Sequence, residues 1–91
     1  DVAGYAAALE RFDVWLGQFL PRLGEGDLLI LTADHGNDPS WPGTDHTREQ
    51  VPVLALGAGV GEIGVCGFID VAASIAAHLG AKSNGEGQSF L

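Results

Sequence analysis

The chain has 91 residues, with four Lys+Arg against twelve Asp+Glu for a formal net charge of −8, so it is one small domain or one piece of a larger one. Its four cations, Arg11, Arg22, Arg48 and Lys82, are scattered and form no phosphate-binding patch, and an acidic surface repels anionic lipid, which argues against nucleic-acid and membrane partners. A hydrophobic fraction of 46% argues against disorder, and no apolar run approaches the ~20 residues that span a bilayer.

The first element reads as a helix. Tyr5, Leu9, Phe12, Leu16, Phe19 and Leu23 recur at three- and four-residue steps and form one apolar stripe, while Glu10, Arg11, Asp13 and Gln18 fall largely off it. Asp1 suits the N-cap, Ala6-Ala7-Ala8 raises helix propensity, and Pro21 ends or kinks the helix near Leu20. Gly24-Glu25-Gly26 then supplies a turn. Asp27-Leu28-Leu29-Ile30-Leu31-Thr32 is a continuous apolar run without alternation, which predicts a strand buried on both faces, as in a parallel sheet covered by helices.

A polar loop from Asp34 to Gln50 contains Pro39, Pro42 and Gly43. Val51-Pro52-Val53-Leu54-Ala55-Leu56 is a second predicted buried strand, with Pro52 confined to its beginning. A glycine-rich connection runs from Gly57 to Gly67. A second helix follows, capped by Asp70, with Val71, Ala72, Ile75, Ala76 and Leu79 facing inward and Gly80 as its C′ residue. The tail is polar until Ser89-Phe90-Leu91, which suits a short extended segment. The order helix, strand, loop, strand, helix is α/β in type.

Two features point to a piece of a longer polypeptide. Two strands do not complete such a sheet. The chain also has no methionine and begins with Asp1, a residue before which an initiator Met is not normally trimmed. Maturation by cleavage is the alternative source of this start. The single cysteine, Cys66, excludes an internal disulfide, fits a reducing, cytoplasmic compartment, and reads as a small buried apolar group.

Chemistry is expected where the first strand ends, because open α/β sheets bind ligands outside the carboxyl ends of their strands. Ala33-Asp34-His35-Gly36-Asn37-Asp38 begins there. Asp34 and His35 supply a carboxylate oxygen and an imidazole nitrogen, a pair suited to Zn²⁺ or Mn²⁺. Twelve residues after Asp34, Thr44-Asp45-His46-Thr47 brings a second imidazole. An Asp-His-Gly tripeptide is also an ordinary turn sequence; His46 and the strand-end position are what favour ligation.

Thr32-Ala33-Asp34-His35-Gly36-Asn37 resembles the late metal-binding motif of the alkaline phosphatase superfamily, which includes cofactor-independent phosphoglycerate mutase. The continuation from Asp38 through Trp41-Pro42-Gly43-Thr44-Asp45-His46-Thr47-Arg48 to Glu49 resembles the phosphopentomutase family more narrowly. Asp1-Val2-Ala3-Gly4-Tyr5 and the helix after it fit the same family. The ending Gly87-Gln88-Ser89-Phe90-Leu91 does too, with Gln88 where the family pattern has Lys.

The resemblance implies an alkaline-phosphatase-like core with a mainly parallel sheet flanked by helices. It also implies a phosphotransferase with two Mn²⁺ that interconverts ribose or deoxyribose 1-phosphate and 5-phosphate through a phosphothreonine. By position, Asp34 and His35 bind one metal and His46 the other. In that family the nucleophilic threonine, the remaining ligands and a cap domain lie in segments N-terminal to this one. Residues 1–91 are then a partial catalytic core whose partner is the rest of the same polypeptide, and the chain by itself is expected to be inactive. A phosphoglycerate-mutase-like enzyme is the nearest alternative, disfavoured by the Trp-Pro-Gly-Thr-Asp-His-Thr-Arg run. A non-catalytic module with an incomplete metal site is the alternative of a different class.

Other residues have plainer readings. Asp45 either orients a ligand imidazole or is a solvated loop acid, and Arg48 either pairs with Glu49 or Asp45 or meets a phosphate. Trp41 is a packing anchor, and His78 a surface residue near a helix C-terminus. Gly59-Val60-Gly61-Glu62-Ile63-Gly64 matches a dinucleotide-site pattern, but the next helix is expected near Ile69 rather than inside it. A hydrolase triad built on Ser40 lacks the nucleophile elbow.

Overall fold

Helix α1 spans Val2–Phe19 and starts where the sequence predicts: the Asp1 carboxylate accepts the Gly4 N–H at 3.0 Å, satisfying one of the donors a helix N-terminus leaves open. The helix runs straight into a 3-10 turn, Leu20–Arg22, that contains Pro21. The computed structural model of the chain describes residues 1–40, 42, 50–57, 59, 61–82 and 85–91. Strand β1 is Leu29–Leu31, β2 is Leu54–Leu56, and α2 is Phe68–Leu79. No helix among the described residues is long and apolar enough to cross a membrane.

The elements follow the expected order of helix, strand, strand, helix, but the strands do not pair as expected. β1 and β2 are antiparallel, with Leu29 opposite Leu56, Ile30 opposite Ala55 and Leu31 opposite Leu54. Among the described residues they form a two-stranded sheet and no parallel pair. An uninterrupted apolar run reports only that both faces of a strand are to be covered; it carries no information on the direction of the neighbour. Both strands are also shorter than their apolar runs, and Pro52 falls just outside β2.

The turn before β1 closes on itself. Gly24 donates its N–H to the Asp27 carboxylate at 2.8 Å, and Gly26 takes φ +84°, a conformation that suits a residue without Cβ. His78 belongs to this turn as well. Its Nε2 lies 2.7 Å from the Gly26 carbonyl, which can only accept, so the imidazole donates there. The residue expected to be merely a surface group near the end of α2 thus ties that helix to the entry of β1.

The cap of helix α2 lies three residues before the expected one. Gly67 is the N-cap, and Asp70, at the third helical position, reaches back to accept the Gly67 N–H at 2.8 Å. The helix ends on Gly80 at φ +71°, as expected. Its covered face differs from the predicted one: Ala73 and Ser74 are the buried residues, whereas Ala72, Ile75 and Leu79 are exposed. The C-terminal tail is the reason. Gln88 donates its N–H to Asp70 at 2.9 Å, Phe90 donates its N–H to the Ser74 hydroxyl at 2.9 Å, and that hydroxyl donates to the Asp70 carbonyl at 2.7 Å. The tail therefore lies across the Asp70–Ser74 face. Farther along, Phe90 and Leu91 line an open cleft of about 600 Å³ with β2 and the glycine-rich connection.

The Gln88 N–H, and after it the Gly67 N–H, hold the Asp70 carboxyl below its ordinary value of 3.8. A carboxylate whose pKa falls on folding contributes stability above its unfolded pKa and loses it as pH drops through the folded one. The Gln88 amide should accordingly be protected from hydrogen exchange at pH 7 and in the Asp70→Ala variant should exchange freely. Backbone circular dichroism should show part of the stability disappearing below pH 4 in the parent and not in the variant. Equal Gln88 exchange in both proteins would refute the tail contact.

Candidate metal centre

Thr32 and Ala33 carry the chain off β1, and Asp34 and His35 follow at a bend. The antiparallel pairing puts the end of β1 beside the start of β2, so this long connection leaves and returns at one end of the sheet. Connections of this length inside a compact unit are commonly functional.

The Asp34 side chain is 91% exposed and the His35 side chain 38%; Asp34 Oδ1 and His35 Nε2 stand 3.6 Å apart. His35 Nδ1 lies 2.8 Å from the carbonyl oxygen of Gly36. A carbonyl only accepts, so Nδ1 carries the proton in this bond and the lone pair of a neutral ring resides on Nε2. A backbone acceptor on one ring nitrogen is the usual way an imidazole is oriented to ligate through the other. A carboxylate oxygen and an imidazole nitrogen each ligate a first-row divalent cation at about 2.1 Å, so atoms up to ~4 Å apart can share one. The 3.6 Å separation meets that condition.

His46, the third expected ligand, lies outside the described residues, as do Trp41, Asp45 and Arg48. Among the described residues no group of three or more His, Cys, Asp and Glu converges on a point. Among the described residues, Asp34 and His35 are the two expected ligands that the structure places side by side.

Neighbouring groups have structural roles. Asp38 accepts the Ser40 hydroxyl at 2.6 Å and the Ser40 N–H at 2.9 Å. Those bonds, the hydroxyl first, hold its carboxyl below the usual carboxylate range. Ser40 is thus a turn residue engaged by a carboxylate rather than by a general base. Gly59, Gly61 and Gly64 all have positive φ, but α2 opens only at Phe68, so the motif does not lead into a helix N-terminus as a dinucleotide loop does. Cys66 is a free, half-buried thiol. The sequence did not mark out the Gly36 carbonyl, because a backbone acceptor leaves no trace in residue identity.

Residues 1–83 match the family model of the metalloenzyme superfamily. The chain belongs to the metalloenzyme superfamily. It is also 55% identical to a phosphopentomutase of Methylobacterium radiotolerans, 54% to one of Allorhizobium ampelinum and 58% to one of Shewanella baltica. Each match covers the whole of this chain and 23% of the relative, so the chain spans about a quarter of the length of the curated proteins it matches. These similarities bear out the resemblance carried by the Asp34–Glu49 loop and, with the family membership, imply use of a divalent metal.

Proposed function

We propose that residues 1–91 form part of the catalytic core of a phosphopentomutase, a metal-dependent phosphotransferase that interconverts ribose or deoxyribose 1-phosphate and 5-phosphate in the cytoplasm. The observation that carries this reading is the Asp34–His35 pair at the end of β1, its imidazole oriented by the Gly36 carbonyl, in a chain of the metalloenzyme superfamily. Asp34 and His35 hold one cation and His46 contributes to a second. Further ligands, a nucleophilic threonine and a sugar-phosphate pocket come from other parts of a longer polypeptide, which also supply parallel strands and helices around the β1–β2 pair.

Two bound divalent cations, Mn²⁺ in this reading, supply positive charge that neutralises the transferring phosphoryl group. The chain's own residues do the positioning. Gly36 keeps the proton of His35 on Nδ1 and thereby directs Nε2 toward the site. Asp34 contributes negative charge beside it, and its side chain is exposed. The surrounding carboxylate excess favours cations over anions at this surface.

The test is phosphorus NMR on the longer polypeptide that contains this segment, with ribose 5-phosphate as substrate. Ribose 1-phosphate should form with Mn²⁺ present, stop forming after chelation and resume on adding Mn²⁺ back. The 91-residue chain should form none. Turnover unaffected by chelation, or turnover by the short chain, would overturn the proposal.

A further inference from the structure

The stretch that follows the Asp34–His35 pair is held by hydrogen bonds at positions where side chains are not buried. Asn37, Asp38 and Ser40 are exposed, and Gly36 and Pro39 are half-buried. Asp38 Oδ1 accepts the Ser40 N–H at 2.9 Å and the Ser40 hydroxyl at 2.6 Å. The first bond closes an Asx turn, in which a carboxylate holds the backbone two residues on. The second falls in the short range of hydrogen bonds to an ionised acceptor. Pro39, between the two residues, has a fixed φ of its own and biases Asp38 toward extended backbone. Gly36 stands just upstream of this turn. Its carbonyl oxygen, 2.8 Å from His35 Nδ1, sets the ring whose Nε2 lies beside Asp34. A glycine has no Cβ to restrict its own torsions, so the direction of that carbonyl depends on what holds the chain after it.

We infer that Asp38 and Ser40 are positioning residues for the metal centre: their turn fixes the backbone after Gly36, and thereby the carbonyl that orients His35. The inference rests on the reading of Asp34 and His35 as metal ligands. In this role Asp38 and Ser40 act through the backbone and touch neither cation nor substrate. Groups that hold the second nitrogen of a ligand imidazole are worth about 10–100-fold in metal affinity. A pair acting one step farther back belongs at the lower end of that range.

Titration of the metal-free longer polypeptide with Mn²⁺, the free ion read by electron paramagnetic resonance, tests it. Asp38→Ala should weaken binding about tenfold and open the Ser40 amide, protected in the parent, to hydrogen exchange. Ser40→Ala keeps the N–H bond and loses the hydroxyl, and should weaken binding roughly threefold. Ser40→Thr keeps a hydroxyl and should match the parent. The urea midpoint should stay at the parent value throughout, because the altered side chains are exposed. Parent-like affinity in Asp38→Ala, while His35→Ala loses its metal, would overturn the inference and leave the metal-site reading standing. A urea midpoint that falls in step with affinity would overturn it too, since the turn would then support the fold at large. If His35→Ala binds Mn²⁺ as the parent does, the metal-site reading fails and this inference with it.

Discussion

Changing His35 to alanine in the longer polypeptide is expected to lower kcat/KM for pentose phosphate by at least about a thousandfold, roughly 4 kcal/mol of transition-state stabilisation. The variant loses an imidazole nitrogen that the Gly36 carbonyl has already oriented beside the Asp34 carboxylate. Folding should be unaffected, because the His35 side chain is 38% and that of Asp34 91% exposed. Circular dichroism and the urea midpoint should therefore match the parent, while bound Mn²⁺, measured by elemental analysis after dialysis, should fall. Asp34→Asn keeps the shape and removes the charge, and should show the same split. If the His35→Ala protein keeps its metal and turns over within threefold of the parent, the site lies elsewhere.

A second large effect is expected at Gly57, immediately after β2. Its φ is +97°, and a Cβ there would run into the backbone carbonyl oxygen of Asp27 and lie 3.5 Å from the Leu28 Cα. Neither obstacle is the end of a flexible side chain, so an added methyl group must push the entry of β1 away from the end of β2. The conformational penalty is about 1–2 kcal/mol, and the displaced backbone brings the expected total for Gly57→Ala to ~3 kcal/mol or more. Gly26→Ala is the control. Gly26 also has positive φ, at +84°, but nothing lies within 4 Å of the added carbon, so only the conformational penalty applies. Urea unfolding of both variants checks the order, and equal midpoints would mean that the close approach of Gly57 to Asp27 is not formed.

These two positions separate what could be read from residue order and what could not. Asp34 and His35 stood out because few residue types ligate a divalent cation, and two of them followed an apolar run that had to be a strand. The start of α1 and the ends of both helices were legible for the same local reason: Asp1, Pro21 and Gly80 act within one turn of the chain. Gly57 was one glycine among several in a flexible-looking connection. Its importance comes from Asp27, thirty positions earlier, and no local pattern records that proximity.

The predicted inward face of α2 failed in a similar way. Periodicity selected Val71, Ala72, Ile75, Ala76 and Leu79, of which Val71 and Ala76 are half-buried and the other three exposed. The tail instead lies over Asp70 and Ser74, whose oxygens accept the Gln88 and Phe90 N–H groups. Hydrophobicity identifies a side chain that gains from burial; it does not identify which face a returning segment covers first. The α1 stripe was legible as a stripe, and its covering lies beyond what residue periodicity can specify.

The sequence by itself determined the helices, the apolar segments that become strands, and an Asp-His pair at a strand end in an acidic chain. Each of these follows from interactions spanning a few residues or from summed composition. Tertiary structure decided the antiparallel pairing of β1 with β2, the tail's seat on Asp70 and Ser74, the link from His78 to Gly26, and the tight contact at Gly57. All four join groups far apart in the chain, mostly through backbone donors and acceptors that every residue carries. Residue identity is therefore silent about them, and only the path of the folded chain brings them together.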